Sequence, residues 1–376
     1  MSNLNQLFFE LIRVAIGTQE SLSRLPSETE WEKLFDMAVK QSLVGVCFAG
    51  IHSIGADTDD GFAKIGMSED LFFNWMGMAT QINMRNDVVN EKCVALQKLL
   101  TNDGFRSCVL KGQGVSMLYG EDLRGFRQSG DIDMWMLAES EKVIEWARAT
   151  GSMYYYDYHH ADLSLFEDTE IELHYRPSLS RNLVRNARLQ KWFREEGVKH
   201  VVYNEDLGFF VPDYVLNVVM TMNHNFWHLL YEGVGMRQFM DLYFILKSRD
   251  IDDSRVDTCG LLKHLKLERF ASASMWILKD VFGLADEYLL CEPDERTGHF
   301  LLDEIMQAGN FGKHDERLKN GRYKNRLGLM LTWIRHSFRL FKYYPADVLW
   351  TPIGVLRISL WRRWHYRKEN GRNNKK

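Results

Sequence analysis

At 376 residues the chain is longer than one hydrophobic core comfortably supports, and about two or three structural units are expected. A hydrophobic content of 45% with six prolines excludes a disordered chain and fits a compact, mostly helical one. The net charge is only −4, but it is unevenly spread: Lys313–Lys376 holds 17 Lys and Arg against four Asp and Glu, so the rest carries −17.

The N-terminal stretch reads as helical to about residue 103. Met1–Gln6 lacks the positive region a secretory leader places ahead of its apolar run, and no apolar span approaches the ~20 residues needed to cross a bilayer. Leu4, Leu7, Phe8, Leu11, Ile12 and Ala15 trace one helical face, which Gly17 would end. Ser27 to Glu30 resembles a capping box for a helix carrying Trp31, Leu34, Phe35 and Ala38. Asn74–Leu100 is a long helical pattern. The cysteines (Cys47, Cys93, Cys108, Cys259 and Cys291) are odd in number and scattered, without a C-x-x-C, so reduced thiols of a cytoplasmic protein are expected and a zinc site is not.

An α/β unit is expected over 104–211. Phe105–Leu110 reads as a strand, Lys111-Gly112-Gln113-Gly114 as a turn, and Val115–Tyr119 as the start of a helix. Backbone N–H groups at a helix start favour anions, Gly112 and Gly114 allow close approach, and Lys111 would add a point charge. A Walker A pattern is absent. Ser129 and Gly130 then give a tight entry to Asp131-Ile132-Asp133-Met134-Trp135-Met136. On a strand, a period of two sets Asp131 and Asp133 on one face and Ile132 and Met134 on the other. Two carboxylates so close repel, and a hard cation such as Mg2+ is the usual remedy, with substrate phosphates completing its shell.

Ser140–Ala149 reads as a helix, followed by strands over Tyr154–His159, Ala161–Phe166 and Glu170–Tyr175. In the last of these, Glu172 and His174 share a face with Glu170, which is expected to point to solvent. His159 and His160, being adjacent, are expected on opposite faces in structural roles. Strand and helix alternating, then strand on strand, suits a small mixed sheet; no G-x-G-x-x-G supports a Rossmann unit. Pro177 ends the sheet run and Asn182–Phe193 returns to helix.

From 212 to 376 the chain reads as helical again. His224 and His228 stand at i, i+4 within Asn217–Tyr231 but lack a third metal ligand, and Arg237 and Asp241 are expected to pair with each other. The basic end interleaves Lys and Arg with aromatics such as Phe338, Trp361 and Trp364. It would either dock on the acidic remainder of the chain or contact an anionic membrane or a partner. The core itself shows no basic stripe for nucleic acid.

The run Val109-Leu110-Lys111-Gly112, then Tyr119, Arg124 and Arg127, then Gly130-Asp131-Ile132-Asp133, resembles the uncharacterised nucleotidyltransferases of the DNA polymerase β-like superfamily. His159-His160 and Glu172-Leu173-His174 are similar to that family's later elements, and the resemblance is strongest over Ser107–Arg176. It implies an α+β fold, a small mixed-sheet nucleotidyltransferase core flanked by helical regions. It also implies Asp131, Asp133 and Glu172 as catalytic metal ligands for Mg2+ or Mn2+, with Glu172 alternatively the base that activates an acceptor hydroxyl. Lys111, Gly112, Ser129, Arg124, Arg127 and His174 would then contact a nucleoside triphosphate such as ATP. The departure is at the turn, where the family's usual Gly-Ser is missing. Transfer of a nucleoside monophosphate to a hydroxyl-bearing acceptor is the reading so implied. A non-catalytic nucleotide-binding regulatory module and a helical interaction protein are the alternatives.

Overall fold

The computed structural model describes residues 2–56, 61–249, 255–315, 317 and 326–373. The chain opens with helices Asn3–Ala15, Glu28–Gln41 and Val44–Ile51, then a 34-residue helix, Glu69–Asn102. The first helix buries Leu7, Phe8, Leu11 and Ile12, and Gly17 follows it at φ +75°. The Ser27 backbone N–H donates to the Glu30 carboxylate at 2.9 Å, as the capping box requires. The long helix starts over a turn before Asn74, with Ser68 extended at its N-cap position and Glu69 and Asp70 suiting its positive N-terminus.

A five-stranded sheet follows: β1 (Ser107–Val109), β2 (Ile132–Met136), β3 (Met153–Tyr156), β4 (His160–Phe166) and β5 (Thr169–His174). Its spatial order is β1-β2-β5-β4-β3. Only β2 and β5 run parallel; the crossover between them contains the helix Ser140–Ala149 and the β3–β4 hairpin. A second hairpin, β6 (Val201–Asn204) with β7 (Phe209–Pro212), was not legible as strands.

Helices Leu183–Glu195, Tyr214–Tyr231, Met236–Lys247, Glu268–Asp280, Glu295–Ala308, Arg326–Phe341 and Pro345–Asn373 make up most of the remainder. The architecture is α+β: a mixed sheet between helical regions. Two apolar cores lie on its two faces. Ile132, Met134, Ile171, Leu173, Ala161 and Leu163 fill one with Val143 and Leu96. Cys108 and Trp135 face the other, which joins N-terminal residues such as Phe8 and Trp31 to C-terminal ones such as Phe239 and Leu340. Adjacent residues of a strand thus serve opposite cores, which pins the register of β2 against β5.

The basic C-terminal segment packs against this body along one side. The Arg185 guanidinium pairs with the buried Asp347 carboxylate, and Arg317 and Arg339 share Glu304. Arg357 donates to the Tyr158 hydroxyl at 2.6 Å, and a side chain at Gly354 would collide with the Arg181 carbonyl. Residues 316, 318–325 and 374–376 of that segment lie outside the described residues.

Candidate active site

The second core is interrupted where β2, β5 and β4 turn polar side chains toward the helices Tyr214–Tyr231 and Met236–Lys247. A pocket of about 430 Å3 opens there. Cross-strand register builds its floor. Asp133 sits opposite Glu172, Glu172 opposite Asp162, and His174 opposite His160, so one face of three strands collects carboxylates and imidazoles.

Asp133 is buried on β2, an inner strand paired on both sides, a costly place for a carboxylate. Two donors compensate: Lys111 Nζ at 2.6 Å and His174 Nε2 at 2.8 Å, both on Oδ1. Burial alone would raise the Asp133 pKa; the Lys111 charge and the His174 hydrogen bond outweigh it and hold the carboxyl below its ordinary range. His174 also lies 3.2 Å from Glu172 Oε2. Its burial disfavours the imidazolium, yet Asp133 and Glu172 push its pKa up to about 9, so it is a cation at neutral pH. Glu172 is held far below the usual carboxylate range, because His174 overrides the burial that would raise it. Lys111 is desolvated too, but Asp133, Glu172 and Asp131 together raise it above the ordinary lysine value.

Asp131 stands just ahead of β2 on the exposed rim. The protein around it removes enough water, and Asp133 and Glu172 repel it enough, to push its carboxyl up to about 7. At neutral pH two cations therefore face two full carboxylates, with Asp131 in mid-titration. A divalent cation fits this donor set. Asp133 and Glu172 would offer it oxygen ligands, their ligand atoms and that of His174 all lying within 4.8 Å of one another, and Asp131 lines the same pocket. Such an ion would relieve the repulsion on Asp131 but must compete with Lys111 for Asp133.

Lys111 and Gly112 make a turn after β1, at φ +35° and +40°, and the short helix that ends at Ser116 is regular only beyond them. A left-handed lysine is strained, and the strain aims Nζ back at Asp133. Gly112 lines the pocket with its backbone open. Gly114 does not serve the pocket in the way expected of it: a Cβ there would sit 2.3 Å from the Val109 carbonyl, so helix–strand packing demands this glycine.

The segment leading to Asp131 is tied down from three sides. Asn86 Nδ2 donates to the Gly125 and Arg127 carbonyls, Arg237 donates to the Gln128 carbonyl, and Arg127 makes a bidentate pair with Asp241 at 2.7 Å. Tyr119 completes the last cluster, its hydroxyl donating to Asp241 at 2.6 Å. This corrects one expectation. Asp241 pairs with Arg127 rather than with Arg237, because Arg127 enters the Met236–Lys247 helix face from across the pocket. Arg127 is thereby committed to a buried carboxylate, leaving only Nη1 without a protein partner. Arg124 is exposed, contacts Met117 Sδ at 3.7 Å and borders a different depression, so it is not brought to the acidic cluster. Ser129 is half-buried beside the rim, without lining the pocket.

His159 and His160 do not face opposite ways. His159 precedes β4 in a bend, so the strand alternation does not reach it, and both rings enter the pocket 4.0 Å apart. Two hydrogen bonds chain them, Asp157 Oδ1 with His159 Nδ1 and His159 Nε2 with His160 Nδ1, each at 2.8 Å, and His160 Nε2 lies 2.8 Å from Asp162 Oδ1 without hydrogen-bond geometry. Burial first, then His160 and His174, drives the His159 pKa down to about 4, which keeps it neutral. Across the pocket, His224 and His228 contact each other at 2.8 Å, and burial with Lys111 nearby keeps His224 neutral. The remaining wall includes Tyr155, Trp227, Asn225, Gln238 and Phe311, which no local motif announced because they converge from distant segments.

A family model described as uncharacterised nucleotidyltransferase matches residues 27–283, well over half of the chain. The chain belongs to this family. The matched segment contains the sheet, the pocket floor and the first two helices of the opposite wall, and it stops short of the basic C-terminal helices. Comparison with curated proteins and with solved structures gives no significant match.

Proposed function

We propose that this member of the nucleotidyltransferase family is a divalent-cation-dependent enzyme that moves a nucleoside monophosphate from a nucleoside triphosphate to a hydroxyl-bearing acceptor. The convergence of Asp131, Asp133 and Glu172 with Lys111 in one pocket, within a family of that name, carries the reading. Mg2+ or Mn2+ held by the three carboxylates would supply charge neutralisation for the triphosphate.

The chain's own groups have separable tasks. Lys111 and the Gly112 backbone bind phosphate oxygens. His174, a cation at neutral pH, orients Glu172 and keeps it ionised. With its pKa held so low, Glu172 is a weak base, which favours the ligand role over proton abstraction. In the displacement, the acceptor oxygen forms a bond to the α-phosphorus while the bond to the bridging oxygen breaks. Pyrophosphate leaves, and the acceptor proton passes to solvent or to a neutral imidazole such as His159. The pocket volume suits a nucleotide, and the Tyr155 and Trp227 rings offer stacking surfaces for a base.

A second reading has an observation of its own. Lys111 and His174 already neutralise Asp133, and the turn lacks Gly-Ser, which together suit a module that binds nucleotide without turning it over. Titration calorimetry with ATP, GTP, CTP and UTP, with and without Mg2+, on wild type and Asp131→Asn tests the first claim. Mg2+-dependent binding weakened by the substitution supports it; a folded protein that binds no triphosphate refutes both readings. Pyrophosphate release in an acceptor screen then separates enzyme from module.

A further inference from the structure

The last two helices have a second side. In Pro345–Asn373 the inner face, through Asp347, Thr351, Gly354 and Trp361, packs on the body of the protein: Asp347 on Arg185, Gly354 on Arg181, Trp361 on Tyr156 and Tyr158. On the opposite side Leu349, Ile353, Leu356, Leu360 and Trp364 are exposed, Leu349 at 65% and Leu356 at 60%. At 3.6 residues per turn these five fall within an arc of about 80° and run for about 22 Å. The helix before it adds Phe338, 81% exposed. A stripe this long is more than scattered surface leucines, and water solvates it poorly.

Its charged neighbours are of one sign. Arg363 and Arg367 are exposed at the end of the stripe, Arg335 is exposed on the preceding helix and Lys342 in the turn between the two. Between Arg326 and Lys368 the sole carboxylate in the sequence is Asp347, which is buried against Arg185. Apolar side chains with basic flanks and no exposed acid complement an anionic lipid surface. Leucines and a tryptophan enter the acyl boundary, while arginines meet the head groups. A second copy of the same face packed in parallel would set Arg363 and Arg367 against like charges, and a nucleic acid would leave the aliphatic stripe in water. Among the described residues no helix is long and apolar enough to cross a bilayer, so the helix would lie on the surface.

We propose that the exposed face of Pro345–Asn373 docks this protein on anionic membranes. The proposal rests on surface chemistry alone and is independent of what the pocket does. The test is co-sedimentation of the full chain with vesicles of phosphatidylcholine alone and of phosphatidylcholine with phosphatidylglycerol, at low and high salt. Binding to the anionic vesicles, weakened by salt and weak on neutral ones, is expected. Leu356→Glu/Leu360→Glu should abolish it, and Arg363→Gln/Arg367→Gln should weaken it about thirtyfold at low salt. Unchanged thermal melting in both variants shows that the inner face still docks. No binding to anionic vesicles overturns the proposal, as does binding that the leucine variant leaves intact. A concentration-dependent dimer, lost in the leucine variant and without vesicle binding, would assign the face to a second copy instead.

Discussion

Lys111 Nζ lies 2.6 Å from Asp133 Oδ1, the lysine at a positive backbone φ and the aspartate buried on an inner strand of the sheet. The lysine thus stands where a bound cation would act. Replacing it with methionine strips Asp133 and Glu172 of a counter-charge, and breaking a buried pair costs about 3–5 kcal/mol. Urea denaturation in EDTA should show that loss for Lys111→Met. Added Mg2+ should restore more stability to the variant than it adds to wild type. Equal responses would show that no cation shares the Lys111 position.

The two aspartates should separate in stability though not in binding. Asp133→Asn leaves Lys111 and His174 facing a neutral amide in a buried site, a loss again of about 3–5 kcal/mol. Asp131→Asn removes only a repelled, rim-exposed carboxylate, so its stability should stay within about 0.5 kcal/mol of wild type, with any change toward greater stability. Both should lose Mg2+-dependent ATP binding in calorimetry. An Asp131→Asn protein that binds like wild type would remove that residue from the site.

His174 ties stability to pH. Its folded pKa is raised to about 9 from an ordinary 6.5, so its contribution is complete below about 6.5 and is lost as pH climbs through 9. In EDTA, the melting temperature of wild type should exceed that of His174→Gln most at pH 6, and the gap should narrow by pH 9.5. A gap that does not change over this range would mean the imidazole is neutral throughout.

Arg124 and Arg127 look alike in the chain and should behave as opposites. Asp241→Ala leaves Arg127 without its bidentate partner and Tyr119 without its acceptor, at a cost of about 3–5 kcal/mol. Arg124→Ala should shift stability by no more than about 0.5 kcal/mol and leave ATP affinity unchanged. Chemical denaturation and calorimetry on the pair decide it; weakened ATP binding by Arg124→Ala would return that residue to the pocket.

Much of the fold was open to reading from residue order. Amphipathic periods marked the first helices, Ser140–Ala149 and Met236–Lys247, and alternation marked the strands to within about two residues, except that β3 ends at Tyr156 rather than His159. The β6–β7 hairpin escaped because its strands are four residues long and follow a helix without a strong alternating pattern. Asp133 and Glu172 were legible as site candidates because each shares a strand with apolar neighbours of the opposite face. Asp157 was not, since its role depends on a bend that brings His159 and His160 to one side.

By itself, residue order determined the local elements, the family resemblance and the acidic strand positions, all of which follow from periodicities of two and 3.6 and from short motifs. Only the tertiary structure decided which charges meet. Arg127 takes Asp241 across 114 residues, His174 reaches Asp133 across 41, and Lys111 turns back onto the same carboxylate. Pairing energies inside a protein depend on distance and on the water excluded around each pair. Neither quantity exists until distant segments pack.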